Sequence, residues 1–156
     1  MSESASRMIN SEADMEALGR CLAPCLSRVK LVGLKGDLGA GKTTLVRGVL
    51  QGMGYEGVSK SPTFSLVEPY ELANRSLYHL DLYRLQDPEE LEHIGIRDYF
   101  DGPGLLLVEW PEKGSGILPP ADVELILTKT NGGRTLTWFV HTPSGQQTID
   151  QFLASC

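Results

Sequence analysis

Cysteine is scarce in this chain, histidines are few and scattered, bases are outnumbered by acids, and no long apolar run occurs. Each shortage excludes something. Three cysteines do not make a disulfide framework. Cys21 and Cys25 lie four apart on an expected helix and Cys156 is the last residue, so all three are expected to be reduced thiols. His79, His93 and His141 stand far from those cysteines, and the sequence spells out no zinc cluster. Twenty acidic residues face 14 basic ones, for a net charge of -6. That balance opposes broad nucleic-acid binding, which needs cationic side chains to displace condensed counterions. Nothing approaches the roughly 18 uninterrupted apolar residues of a membrane helix. Residues Met1 to Asn10 are polar and lack the apolar stretch of a secretory signal. The expectation is a cytoplasmic protein without membrane association, its residues 1–10 a flexible terminus.

What is present is ordinary globular composition, 41% hydrophobic and 22% charged, in 156 residues. That length fits a single domain over residues 1–156. Ser11 reads as an N-cap, with Glu12 and Asp14 suiting the positive end of the helix behind it. Met15, Leu18, Cys21, Leu22, Cys25 and Leu26 recur at helical spacing, and Pro24 shortens that helix. Leu31 to Leu34 reads as a buried strand, and a second helix is expected from about Gly41 to Gln51. Strands are predicted over Phe64 to Glu71, Ser76 to Tyr83 and Leu105 to Trp110. In the second of these, Tyr78, Leu80 and Leu82 share one face while His79 and Asp81 share the other. Asp87, Pro88, Glu89 and Glu90 open a short helix with proline at its first position. Val123 to Lys129 and Arg134 to His141 flank Asn131, Gly132 and Gly133, a hairpin signal. Together these predict an α/β fold with a central, mostly parallel sheet, an antiparallel C-terminal hairpin and flanking helices.

The decisive segment is Gly36, Asp37, Leu38, Gly39, Ala40, Gly41, Lys42, Thr43 and Thr44. It satisfies the phosphate-binding pattern G-x-x-x-x-G-K-[ST] between a predicted strand and a predicted helix. Gly36, Gly39 and Gly41 permit backbone angles that turn successive N–H groups inward on an anion. The helix start adds its positive end, Lys42 can reach β- and γ-phosphates, and the Thr43 hydroxyl can ligate Mg2+. Magnesium then lacks a protein carboxylate, and an acid ending a buried strand beside this loop is the usual source. Glu109, closing the apolar run Leu105 to Val108, is chosen for the metal. Asp81 is the second candidate, and the sequence does not divide metal binding, water positioning and γ-phosphate sensing between the two. The loop Ser59 to Thr63 occupies a switch position, where Ser61 or Thr63 could offer a hydroxyl. Tyr78, Tyr83, Phe64 and Trp138 read as core or strand aromatics, and Trp110 as an indole at the rim of the site.

The ordered motifs Gly36 to Thr44, Ser61 to Phe64, His79 to Leu85 and Val108 to Glu112 resemble the TsaE (formerly YjeE) family over nearly the whole chain. The departure is Leu80, where that family often carries an aromatic. The resemblance implies an ATPase of bacterial tRNA threonylcarbamoyladenosine synthesis, which modifies position 37 of tRNAs reading codons that begin with A. It implies the protein partners TsaB and TsaD, with tRNA reached only through the complex. By match of motif, Lys42 holds phosphates, Thr43 and Glu109 bind Mg2+, Asp81 is needed for hydrolysis, and Thr63 belongs to a switch loop. It also suggests adenine near Ser11 and Glu12, helped by the loop after Trp110 and by Arg134. No clear arginine finger stands within the chain, Arg84 being the best internal candidate, so hydrolysis is expected to be slow alone and faster with partners. Two alternatives are a non-catalytic ATP-dependent adaptor and a small-molecule kinase. A GTPase is disfavoured by the absence of an Asn-Lys-x-Asp signature.

Overall fold

The computed structural model describes residues 6–62 and 65–156. Its elements run β1 (Arg7–Ile9), α1 (Glu12–Leu22), β2 (Leu31–Lys35), α2 (Lys42–Gly52), β3 (Val67–Glu71), β4 (Ser76–Asp81) and α3 (Glu89–His93). They continue with α4 (Ile96–Phe100), β5 (Leu105–Glu109), β6 (Val123–Thr130), β7 (Gly133–Val140) and α5 (Pro143–Ser155). Short 3-10 turns follow α1 and β5, at Ala23–Leu26 and Pro111–Gly114, each with a proline in its first two positions.

One seven-stranded sheet has the order β1-β7-β6-β2-β5-β4-β3. The four central strands, β6, β2, β5 and β4, are parallel, and the edges are antiparallel. The α/β expectation holds, with a second antiparallel pair, β3 with β4, at the edge opposite the hairpin. Pro69 sits in β3, an edge strand, where one side of the backbone needs no ladder donor. Both faces of β5 are covered, which is why its sequence is apolar without alternation. Leu105 and Leu107 join the core under α1, α2 and α5, while Leu106 and Val108 join a second core with Leu91 of α3 and Ile96 of α4.

The first helix begins as its sequence predicts, for the Ser11 side chain accepts from Asp14 N at 3.0 Å. The two-residue turn Asn131–Gly132 joins β6 to β7 in register Thr130 with Gly133. Pro88 is the N-cap of α3, one position earlier than expected. Several expectations change. Arg7–Ile9, placed in a flexible terminus, forms an edge strand on β7 with Ile9 buried. Strand β3 starts at Val67, and Phe64 lies outside the described residues. Tyr83, expected in a core or strand, is 41% exposed just beyond β4. The thiol expectation is corrected as well. Helix α5, unanticipated from the sequence, carries the chain end back to α1, where Cys21 and Cys156 form a disulfide across a Cα–Cα distance of 6.1 Å. Cys25 remains a buried free thiol. No helix among the described residues is long and apolar enough to cross a membrane.

Candidate nucleotide site

Three strands deliver the site through their register. Leu34 of β2 stands opposite Glu109 of β5, and Glu109 stands opposite Asp81 of β4. All three lie at the carboxyl ends of parallel strands, where open α/β sheets place ligands. Immediately after Lys35 the chain turns through Gly36 to Gly41 and enters α2 at Lys42. The two carboxylates and the glycine loop are therefore neighbours because of strand order, although 28 to 73 residues separate them along the chain.

The loop needs glycine at its ends. Gly36 and Gly41 have φ of 147° and 109°, a region that L side chains avoid. A Cβ on Gly36 would stand 2.5 Å from the Leu127 carbonyl, so β6 closes over the loop from behind. Gly41 is also the N-cap of α2, and no side chain caps that helix start. The first amides of α2 are thus left for an anion, with the positive end of the helix behind them. Asp37, Leu38 and Ala40 complete the bend; Leu38 is exposed and Ala40 is buried.

Lys42 is buried, with its Nζ donating to the Gly36 carbonyl and resting 4.1 Å from the centre of the Trp110 ring. Burial lowers its pKa, against the opposing pull of Glu109, Asp81, Glu112 and Asp37. Trp110, with φ of 57°, is half-buried and also packs on Tyr83 at 5.2 Å, so the indole forms a wall of the site rather than an outer rim. Asp81 is half-buried, and its Oδ1 accepts from Tyr83 N at 3.1 Å. Burial raises the Asp81 pKa, and the charge of Glu109 beside it raises it further, outweighing that hydrogen bond. Glu109 is 3% exposed, and its Oε2 lies 2.6 Å from Nε2 of His79. Thr43 and Thr44 follow in the first turn of α2, both half-buried.

Two acids in adjacent register beside a phosphate loop fit a hard divalent cation. Mg2+ is held by one or two carboxylates plus substrate phosphates and keeps several waters, so no larger protein cage is required. A cation there would relieve the repulsion that raises the Asp81 pKa.

Beside the loop lies a cavity of about 340 Å³, lined among others by Ser11, Glu12, Met15, Thr44 and Arg134. The three residues that family resemblance connected with adenine thus converge on one space. Ser11 spends its hydroxyl on the helix cap, and Glu12 pairs with Arg47 at 3.3 Å. Arg134 Nη2 donates to the Gly39 carbonyl at 3.2 Å, fastening the β6–β7 hairpin to the phosphate loop. Ser61 and Arg84 are exposed, and Thr63 lies outside the described residues. His79 and Met15 were named from sequence only for their place on a strand and a helix, and neither was assigned to the site. Strand alternation carried the signal for His79, since it shares a face with Asp81 two residues on.

The chain matches the family described as threonylcarbamoyl adenosine biosynthesis protein TsaE over residues 9–136. It is 46% identical over 155 residues to the tRNA threonylcarbamoyladenosine biosynthesis protein TsaE of Haemophilus influenzae, covering 96% of this chain and 98% of that one. The protein of the same name from Bacillus subtilis is 35% identical over 123 residues, 79% of this chain and 76% of its own length. The crystal structure of Bacillus subtilis YdiB superposes with a TM-score of 0.81 at 23% identity, across 98% of this chain and 95% of that one. That superposition speaks for the fold.

Proposed function

The chain belongs to the TsaE family, proteins of tRNA threonylcarbamoyladenosine biosynthesis, and from that premise we propose that it is a Mg2+-dependent ATPase of this pathway. The observation that carries the reading is the register Leu34–Glu109–Asp81, which sets two carboxylates beside a glycine loop and its lysine. The loop amides and the start of α2 bind the polyphosphate. Lys42 exchanges the Gly36 carbonyl for β- and γ-phosphate oxygens, whose charge favours its ammonium form despite burial. Thr43 and Glu109 would hold Mg2+, which would supply positive charge against the negative charge that develops during phosphoryl transfer. Asp81 has Oδ1 engaged by Tyr83 N, so Oδ2 is the atom that orients water and receives its proton. The base sits above the loop in the cavity between α1 and the hairpin turn.

In this reading the protein works in the cytoplasm with TsaB and TsaD, and tRNA is met only through that complex. Hydrolysis is slow alone, because no arginine is assigned to the γ-phosphate, and a finger supplied by a partner is worth about 10³–10⁵ in rate. The test is phosphate release from ATP, measured with and without the two partners. Release should need Mg2+, rise with partners, and fall at least about 100-fold in Lys42→Ala and Glu109→Gln. Undiminished turnover in Lys42→Ala would refute the reading, and tight ATP binding without stimulated turnover would make the protein an adaptor.

A further inference from the structure

The buried pair between His79 and Glu109 is unaccounted for by phosphate binding. His79 is 1% exposed, and its apolar surroundings include Leu107, its register partner on β5, and Leu77, two residues back on the same face. A leucine would fill that space more simply. Instead the ring brings one hydrogen bond, Nε2 to Glu109 Oε2 at 2.6 Å. Its Nδ1 is buried without a partner among the described residues. An unpartnered buried polar atom costs about 1–3 kcal/mol, so the ring is a poor choice for packing alone. The carboxylate can only accept, so the imidazole donates its Nε2 proton. With Oε2 engaged by the ring, Oε1 is the Glu109 oxygen that the His79 bond leaves open.

We propose that His79 is a positioning residue that fixes the Glu109 carboxylate by one oxygen, so that the other meets the divalent cation in a single orientation. This rests on the reading of Glu109 as a metal ligand. The geometry inverts the common arrangement in which a carboxylate orients a ligating histidine, with the same physical effect. A glutamate side chain has three rotatable bonds, and a bond to a rigid ring on the neighbouring strand removes most of that freedom before the metal arrives. The cation then meets a ligand already oriented. Because the ring is anchored on β4, two residues before Asp81, the bond also couples the settings of the two carboxylates.

Three measurements on the full chain test this: Mn2+ binding to the protein–ATP complex by electron paramagnetic resonance, ATP affinity in EDTA, and unfolding temperature. His79→Leu and His79→Phe remove the donor and suit the apolar neighbours; His79→Gln returns an amide N–H near the position of Nε2. In the apolar variants Mn2+ affinity should fall about tenfold, the lower end of the range for outer-shell partners. ATP affinity in EDTA should stay within about twofold, and His79→Gln should recover most of the Mn2+ binding, as a purely structural role would not. Unchanged Mn2+ affinity, an equal loss in EDTA, a glutamine variant as weak as leucine, or unfolding of both apolar variants would overturn the proposal. If the wild-type protein binds neither ATP nor Mn2+–ATP, the ATPase reading itself has failed. If the wild type binds both and the variants match it, only the role of His79 has.

Discussion

Glu124 shows how a single carboxylate ties the chemistry of the sheet to pH. It lies on β6 opposite Gly33 of β2, takes Lys35 Nζ at 2.9 Å and His141 Nε2 at 2.8 Å, and so braces the strand end that feeds the phosphate loop. Burial alone would raise its pKa, but the hydrogen bonds from Lys35 and His141, with their charges, hold it below the ordinary 4.5. A carboxyl with a depressed folded pKa binds protons more readily in the unfolded chain. Its stabilisation is complete above about 4.5 and is lost as pH falls from there through the depressed value. Glu124→Gln should therefore cost up to about 1 kcal/mol near neutral pH, the range for partly exposed pairs. That cost should shrink below pH 4.5 as the wild type loses the same charge. Urea unfolding at pH 7 and at pH 3.5 reads the difference; a gap that stays constant across that range would contradict the pairing.

At the scale of elements, the crossing of α1 on α2 is closer than side chains would permit. A Cβ on Gly48 would lie 2.1 Å from the Glu16 carbonyl oxygen, and one on Gly19 would lie 2.4 Å from that of Leu45. Backbone meets backbone there, so Gly48→Ala should cost about 2–3 kcal/mol despite the better helix propensity of alanine. Gly54, just past α2, has φ of 91° and open space around it. Gly54→Ala should cost only the left-handed strain, about 1–2 kcal/mol. Equal urea midpoints for the two variants would rule out the close crossing. This contact also marks what could be read in advance. The helix faces, the buried run of β5 and the phosphate loop follow from local patterns in Met15 to Leu26, Leu105 to Val108 and Gly36 to Thr44. The close approach of Gly19 and Gly48 does not, since it depends on how two helices cross. Neither does α5, whose buried apolar side chains Ile149 and Phe152 stand among glutamines, Thr148 and Asp150 and give a thin stripe. Lys42, Asp81 and Glu109 could each be named as candidates from local pattern, and the strand register brings them together. The partnership of His79 with Glu109 was not, because it arises from register between strands 30 positions apart.

Over the whole molecule, the consequential link is covalent. The Cys21–Cys156 bond closes a loop of 135 positions and fastens α5 to the helix beside the cavity at the glycine loop. Restricting the unfolded chain this way is worth about 2–4 kcal/mol in typical cases. Dithiothreitol should lower the urea midpoint accordingly, and Cys156→Ser should lower it equally without reductant. A thiol count on the denatured, unreduced protein should give one group, Cys25, out of three cysteines. Three thiols without reductant would show the bridge to be absent.

Tension exposes a property of the same closure that equilibrium does not. If the protein is pulled between Arg7 and Cys156, the load passes from Arg7 to Cys21 and then straight across the sulfur atoms to Cys156. Everything between those two positions is slack in the force path, so neither the central sheet nor the phosphate loop lengthens. Only β1 and α1 can peel away, and they carry Ser11, Glu12 and Met15 from the cavity wall. A mechanical pull would therefore unroof the cavity beside the glycine loop while leaving that loop and its two carboxylates standing.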